Sequence, residues 1–301
     1  MISNINFVSK FRKANTVSIV VFILSILLIF FKGLNYGIDF KGGTLIELRA
    51  ENNINVSAIR DTLNAMNLGD INVKNFGNKS DFLIKVEQKN SNDNNLIPEI
   101  KKKLTENLNS KIDFRRVENV GPKVSAELLE SSVIAISLAL AAMLFYIWVR
   151  FEWQFSIGSI IALFHDVVIT LGIFSFLSLE INLSIIAAVL TIVGYSMNDT
   201  VVIYDRIREN LLKYNKVSIS DIANLSINET LARTIITSIT TLLALFSIYI
   251  LGGEILRGFS FAMILGVMIG TYSSIFVASP ILKFFKVSYK TLEKKEEKIV
   301  P

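Results

Sequence analysis

Six stretches of the chain, roughly residues 15–31, 132–149, 156–178, 183–204, 234–251 and 258–282, are each apolar and long enough to cross a hydrocarbon core of about 30 Å. Such a chain is expected to be an α-helical integral membrane protein with six transmembrane helices rather than a soluble enzyme. Composition agrees: 51% of the 301 residues are hydrophobic and 19% are charged. The polar residues 32–131 stand between the first two spans. The first span is followed by Lys32-Gly33-Leu34 with no small-residue cleavage site, so it is expected to remain as an anchor.

Orientation follows from Lys and Arg in the short flanks. One side collects Lys10, Arg12, Lys13, Arg150, Arg206, Arg208, Lys213, Lys216 and Arg233, together with the basic tail. The short loops of the other side, 179–182 and 252–257, hold only Arg257. Both termini are therefore expected in the cytoplasm and residues 32–131 outside. The net charge of +5 is accounted for by these flanks and calls for no nucleic-acid partner.

Residues 1–14 interleave Ile2, Ile5, Phe7, Val8 and Phe11 with Lys10, Arg12 and Lys13. They suit either a short helix in the membrane interface or, the preferred reading, a basic topology anchor. Within 32–131, the segments 43–50, 71–77, 80–88 and 111–121 carry the alternating or β-branched character of strands. Segments 55–67 and 96–109 repeat apolar residues at helical spacing, the first with Ser57 as its expected N-cap. The order βαββαβ is that of a ferredoxin-like α+β domain. Its acidic and basic residues balance, and with no cysteine in the chain it must be stable without disulfides. Glycine-containing joints, 35–44 with Gly37, Gly42 and Gly43, and 118–129 with Gly121, connect it to the spans as hinges or as plain turns. The expected division is thus 1–14 cytoplasmic interfacial segment, 15–31 first span, 32–131 outward domain, 132–282 spans two to six, and 283–301 basic cytoplasmic tail.

The third span carries His165 and Asp166 near its centre. An ionised carboxylate in hydrocarbon costs at least about 2.5 kcal/mol, so Asp166 is a functional candidate by default and reversible protonation is its expected chemistry. His165 points about 100° away on a helix, so a direct pair with Asp166 is not implied, and a proton-relay role stays open beside a structural one. On the fourth span Thr191, Tyr195, Asn198 and Asp205 fall along one face. Thr234, Thr237, Ser238 and Thr241 form a hydroxyl stripe on the fifth. These polar faces are read as a wet path from Asp166 to the cytoplasm. Asp199 and Thr200 are transport or packing groups; Asp205, Arg206 and Arg208 are interfacial. Gly266 and Gly270, with Ser273 and Ser274, read as a stripe for helix packing. The sequence contains no phosphate-binding G-x-x-x-x-G-K-[ST] loop and no H-E-x-x-H, and one histidine with no cysteine cannot build an ordinary zinc site. Neither an ATPase nor a zinc hydrolase is expected, and no cofactor; an ion gradient is the remaining energy source.

Taken in order, "YGIDFKGGT" (36–44), "VGPKVSAEL" (120–128), "HDVVITLG" (165–172), "GYSMNDTVVIYDRIREN" (194–210), "RTIITSITTL" (233–242) and "GTYSSIFVASPIL" (270–282) resemble the SecD/SecF family of the resistance-nodulation-division superfamily. The resemblance covers nearly the whole chain. It implies an accessory subunit of the Sec protein translocase in the bacterial inner membrane. Such a subunit pairs with a homologous six-span SecD, uses proton flow to assist export through SecYEG, and has YajC, the translocating polypeptide and membrane lipid as further contacts. By motif position it carries proton transfer onto Asp166. It carries the polar core onto Asn198, Asp199 and Thr200 of the fourth span, and onto Arg233, Thr234 and Thr237 of the fifth. Two other classes are weighed. A small-molecule or lipid exporter of the superfamily is disfavoured by the single outward domain, and a passive translocon scaffold by the intramembrane carboxylate.

Overall fold

The computed structural model describes residues 5–52, 54–66, 68–69, 71–75, 78, 80–86, 96–108, 110–214 and 216–296. The asparagine-rich stretch 90–95, read from sequence as a loop, lies outside them, as does the end of the basic tail. Helices are α1 (Phe11–Phe31), α2 (Ile38–Lys41), α3 (Val56–Asn64), α4 (Leu96–Asn107), α5 (Pro122–Arg150), α6 (Trp153–Phe176), α7 (Leu183–Lys213), α8 (Ile219–Leu251), α9 (Gly253–Ser273), α10 (Ser279–Phe284) and α11 (Tyr289–Glu296). Strands are β1 (Asn35–Tyr36), β2 (Gly43–Ala50), β3 (Ile71–Asn75), β4 (Asp81–Val86), β5 (Ile112–Val120) and β6 (Glu180–Ile181). Among the described residues six helical stretches are long and apolar enough to span a membrane. The chain divides into two units: residues 1–35, 136–179 and 184–301 form one, residues 36–135 and 180–183 the other.

In the second unit β3, β4, β2 and β5 lie side by side in that order, every pair antiparallel, which is the split βαβ arrangement. Alternation puts Ile46, Leu48 and Ala50 of β2 and Phe82, Ile84 and Val86 of β4 on one face. There they pack against Ile59 and Leu63 of α3 and Ile100 and Leu104 of α4. Arg49 and Asp81 are cross-strand neighbours joined by a bidentate pair, 2.5 and 2.6 Å. That guanidinium holds the Asp81 carboxyl below its ordinary value. Helix α3 is capped by Asn55, whose side chain accepts from the Ser57 N–H at 3.2 Å; Ser57, the expected cap, is inside the helix. Gly42 and Gly43 have φ of +80° and +139°, so they form a tight turn that a residue with a Cβ resists. Gly37 is tight for another reason: a Cβ there would sit 2.5 Å from Glu180 Oε1. Gly121 has nothing within 4 Å of a Cβ position.

The first unit is a bundle in which α6, α7 and the last span are mostly inside, while α1, α5 and α8 present broad apolar faces outward. Several helices overrun their apolar windows. α5 starts at Pro122 directly after Gly121, α7 continues to Lys213, and α8 starts at Ile219 behind the N-cap Ser218. Hydropathy marks only the part matched to lipid; backbone hydrogen bonding carries the helix on through polar flanks. Residues 5–10 are docked on the protein. Asn228 Oδ1 accepts from Ile5 N–H at 2.9 Å, Asn224 Oδ1 accepts from Phe7 N–H at 2.8 Å, and Phe7 and Phe11 are buried beside Phe276. The interfacial-helix reading of 1–14 expects those rings to face lipid instead. The last span is interrupted by a π-helical stretch, Ser274–Ala278. Pro280 follows it and, having no N–H, cannot close the α-helical bond to residue 276.

Candidate functional site

Asp166 occupies the inner face of α6 and is 0% exposed. Its Oδ2 accepts hydrogen bonds from two hydroxyls on two other helices, Ser196 Oγ of α7 at 2.5 Å and Ser273 Oγ of α9 at 2.7 Å. Oδ1 faces His165 Nδ1 at 2.9 Å. One carboxyl group thus ties α6, α7 and α9 together through its hydrogen bonds. The pair with His165 corrects the sequence expectation: neighbouring side chains leave a helix in different directions, but the imidazole is long enough to turn its Nδ1 back onto the next carboxylate. The same ring stacks on Phe22 of α1, with centroids 6.2 Å apart and planes 8° off parallel.

Helix packing explains why two serines reach the same oxygen. A Cβ on Gly266 would lie 2.2 Å from Ile192 Cγ1, and one on Gly270 would lie 2.9 Å from Ser196 Cβ. The bare faces of these two glycines, one turn apart, therefore rest on Ile192 and Ser196, also one turn apart. Ser273, three residues beyond Gly270, then arrives beside Ser196. Sequence reasoning assigned Ser273 to packing and overlooked Ser196; the structure makes both of them hydrogen-bond donors to Asp166.

A second carboxylate, Asp199, is also buried on α7, three residues after Ser196. Its Oδ2 accepts from Thr271 Oγ1 at 3.4 Å, and Thr271 Oγ1 lies 2.7 Å from Ser238 Oγ of α8. Arg233, at the start of the α8 stripe, is exposed. Of the α8 stripe, Ser238 joins this cluster and Thr241 accepts from Tyr195 Oη at 3.3 Å. Thr234 is buried with its Oγ1 unpartnered among the described residues, and Thr237 Oγ1 turns back to the carbonyls of Arg233 and Thr234. Thr200 bonds its own helix at Ser196 O.

The proposed face of Thr191, Tyr195, Asn198 and Asp205 does not surround Asp166. Thr191 and Asn198 are exposed, Tyr195 and Asp205 are half-buried, and Asp205 pairs with Arg150 at 2.8 Å. The buried polar groups in this part of α7 are instead Ser196, Asp199 and Thr200, with Asn210 buried farther along. Farther along α7, Arg206 bonds Glu229 of α8 and Glu209 at 2.6 Å, and Arg208 Nη2 is 3.5 Å from the buried Glu152 of the α5–α6 turn. Among the described residues no group of three or more acidic, histidine or cysteine side chains is placed to hold a metal ion.

Comparison with known proteins adds family evidence to this geometry. The model of "Protein export membrane protein SecD/SecF, C-terminal" matches residues 100–288, and that of the "SecD/SecF GG Motif" matches residues 27–54. The chain is 46% identical over 291 residues to the protein translocase subunit SecF of Rickettsia rickettsii, covering 95% of this chain and 94% of that one. It is 45% identical to the SecF of Cereibacter sphaeroides over 263 residues, 85% of this chain and 81% of that one. Among solved structures, SecDF of Thermus, a translocon-associated membrane protein, superposes with a TM-score of 0.84 at 37% identity. That match covers 94% of this chain and 38% of the SecDF chain, so this chain spans well under half of SecDF. With a family model matching most of its length and relatives near half identical end to end, the chain belongs to the SecD/SecF family of protein export membrane proteins.

Proposed function

We propose that this chain is a SecF-type accessory subunit that works with a SecD partner to assist protein export across the bacterial inner membrane, drawing on the proton gradient. Its termini lie in the cytoplasm and residues 32–131 on the outer side. It acts beside SecYEG and YajC on a polypeptide already in transit, with membrane lipid around its outer helices. The observation that carries this reading is the sealed Asp166 carboxylate, which accepts from Ser196 and Ser273 on two different helices. Ionised, it is an acceptor for both hydroxyls. Protonated, one oxygen becomes a donor, and the three-helix junction must re-pair. A proton is therefore coupled to helix packing, and packing is what a conformational cycle changes. A purely structural junction needs no titratable group, and the amide of an asparagine would serve it equally well. Asp199, with Thr271 and Ser238, is the second proton-transfer candidate, and Gly37, Gly42, Gly43 and Gly121 are the points at which the outward unit meets the motion.

The test is gradient-dependent translocation in inverted vesicles holding the SecD partner, comparing the native chain with Asp166→Asn at matched assembly. The gradient-dependent component is expected to vanish. Its survival would leave Asp166 a structural residue and return the scaffold reading; small-molecule efflux by the same vesicles would favour the exporter.

A further inference from the structure

The chain contains a single histidine, and the fold spends it at 5% exposure against Asp166. His165 Nδ1 is engaged by the carboxylate, while Nε2 is buried with no partner among the described residues. A buried polar atom left unpaired costs roughly 1–3 kcal/mol, so its position asks for a reason. The ring also lines a groove of about 570 Å³ formed by α1, α6 and the last span, whose walls include Ile161, Phe164 and Phe284. Two polar residues of α1, Asn15 and Ser18, line the groove one turn apart, and the next turn brings Phe22, stacked on His165. The polar steps thus descend from the Lys10, Arg12 and Lys13 end of α1 to the imidazole.

We propose that His165 carries protons between this groove and Asp166, which is the entrance to the site on the basic side of the membrane. This rests on the proton-coupled reading above. In the transfer, a water admitted beside Asn15 and Ser18 as the helices move delivers a proton to the otherwise sealed Nε2, forming an N–H bond there. The Nδ1–H bond breaks and that proton passes to Asp166 Oδ1, leaving a neutral imidazole and a neutral carboxyl; the reverse steps discharge it. Imidazole suits the task because its two nitrogens can hold a proton in turn. Asp166 is the charged group in contact with the ring. The elements around it offer Ser18 and Phe22 from α1, and Ser196 and the separately bonded Asp199 from α7. The last span offers Ser273 and Tyr272, whose hydroxyl is 2.9 Å from Ser18 Oγ and donates to Ala14 O.

Two measurements test it on the complex with its SecD partner. Nitrogen-15 spectra of labelled histidine in the chain report His165 alone. The spectra are expected to show each of its two ring nitrogens carrying the proton in turn, and Asp166→Asn is expected to leave a single tautomer. In vesicles, His165→Gln keeps a hydrogen-bonding side chain without a shuttling pair of nitrogens. It is expected to lower the gradient-dependent component at least about tenfold, and Ile161→Trp, which fills the groove, is expected to slow it as well. An imidazole held in one tautomer throughout, or a His165→Gln chain with undiminished gradient dependence while Asp166→Asn abolishes it, overturns the relay and leaves the proton-coupled reading standing. Undiminished dependence in Asp166→Asn brings both down.

Discussion

Replacing Asp166 separates charge from packing, because the structure assigns each of its oxygens a different set of partners. In Asp166→Asn the amide oxygen can accept from Ser196 and Ser273 as Oδ2 does, and the amide nitrogen can donate to His165 Nδ1 in place of Oδ1. No buried group loses its partner, and the expected change in stability is below about 1 kcal/mol. In Asp166→Ala the outcome differs. Ser273 Oγ keeps an acceptor, Gly270 O at 3.1 Å, but Ser196 Oγ and His165 Nδ1 are stranded. Two orphans at about 1–3 kcal/mol each give a loss of roughly 2–6 kcal/mol before any cavity is counted. Thermal unfolding of the three proteins in one detergent, read as the fraction remaining folded, measures the order. The expected order is native close to asparagine, with alanine well below. An asparagine variant as unstable as the alanine one would mean that the charge itself holds the three helices together, and the argument from partner geometry would be wrong.

Two further outcomes follow from named contacts. Gly266→Val drives a Cβ to 2.2 Å from Ile192 Cγ1, so α9 and α7 must part, at a cost of about 1–3 kcal/mol; adding Ile192→Ala should recover much of it, and a single variant that melts like the native chain would refute the close approach. In the α+β unit the Asp81 carboxyl is held below its ordinary 3.8 by Arg49, so its stabilisation is complete above that value and is lost as pH falls through the lowered one. Asp81→Asn is therefore expected to flatten the acid dependence of this unit's pepsin sensitivity below about pH 4, and an unaltered profile would show that the pair contributes nothing.

Much of the architecture was legible because each signal is local. A run of apolar residues reports its own length against a bilayer, and alternation in "GTLIELRA" reports its own face, so the six helices and the order of strands needed no knowledge of distant residues. Local signals fail where two elements compete for one role. Asn55 and Ser57 are both good caps, and the choice depends on where the backbone leaves extended geometry, which at Asn55 is ψ 138°. They fail again where helices continue through polar flanks, as α5 does through Lys123 and Glu127. Residues 1–14 look amphipathic, yet the amide groups of Asn224 and Asn228, more than two hundred residues later, bind their backbone; that pairing has no sequence signature.

The candidate site divides along the same line. Asp166 announces itself, since a carboxylate inside an apolar run is costly wherever it ends up. Its partners do not, because a serine within a membrane helix reads identically whether it back-bonds its own helix, as Ser274 does to Thr271 O, or crosses to a neighbour, as Ser273 does. What decides is helix rotation, and rotation is set by the small residues. Gly266 and Gly270 were visible in the sequence as a close-approach face, and the fourth span offers just a few small residues one turn from a bulky one on which that face can rest. Choosing Ile192 and Ser196 turns Ser196 and Asp199 inward and sends Thr191 and Asn198 outward, in the sense opposite to the polar face first drawn. The polar face of a membrane helix is therefore poor evidence for what it faces, because exposed hydroxyls satisfy themselves on their own backbone, as Thr191 does at Ala187 O. The better guide to the site is the glycine pair on the helix opposite, since a bare backbone can be approached from one direction only, and the group that approaches it is fixed to within one turn.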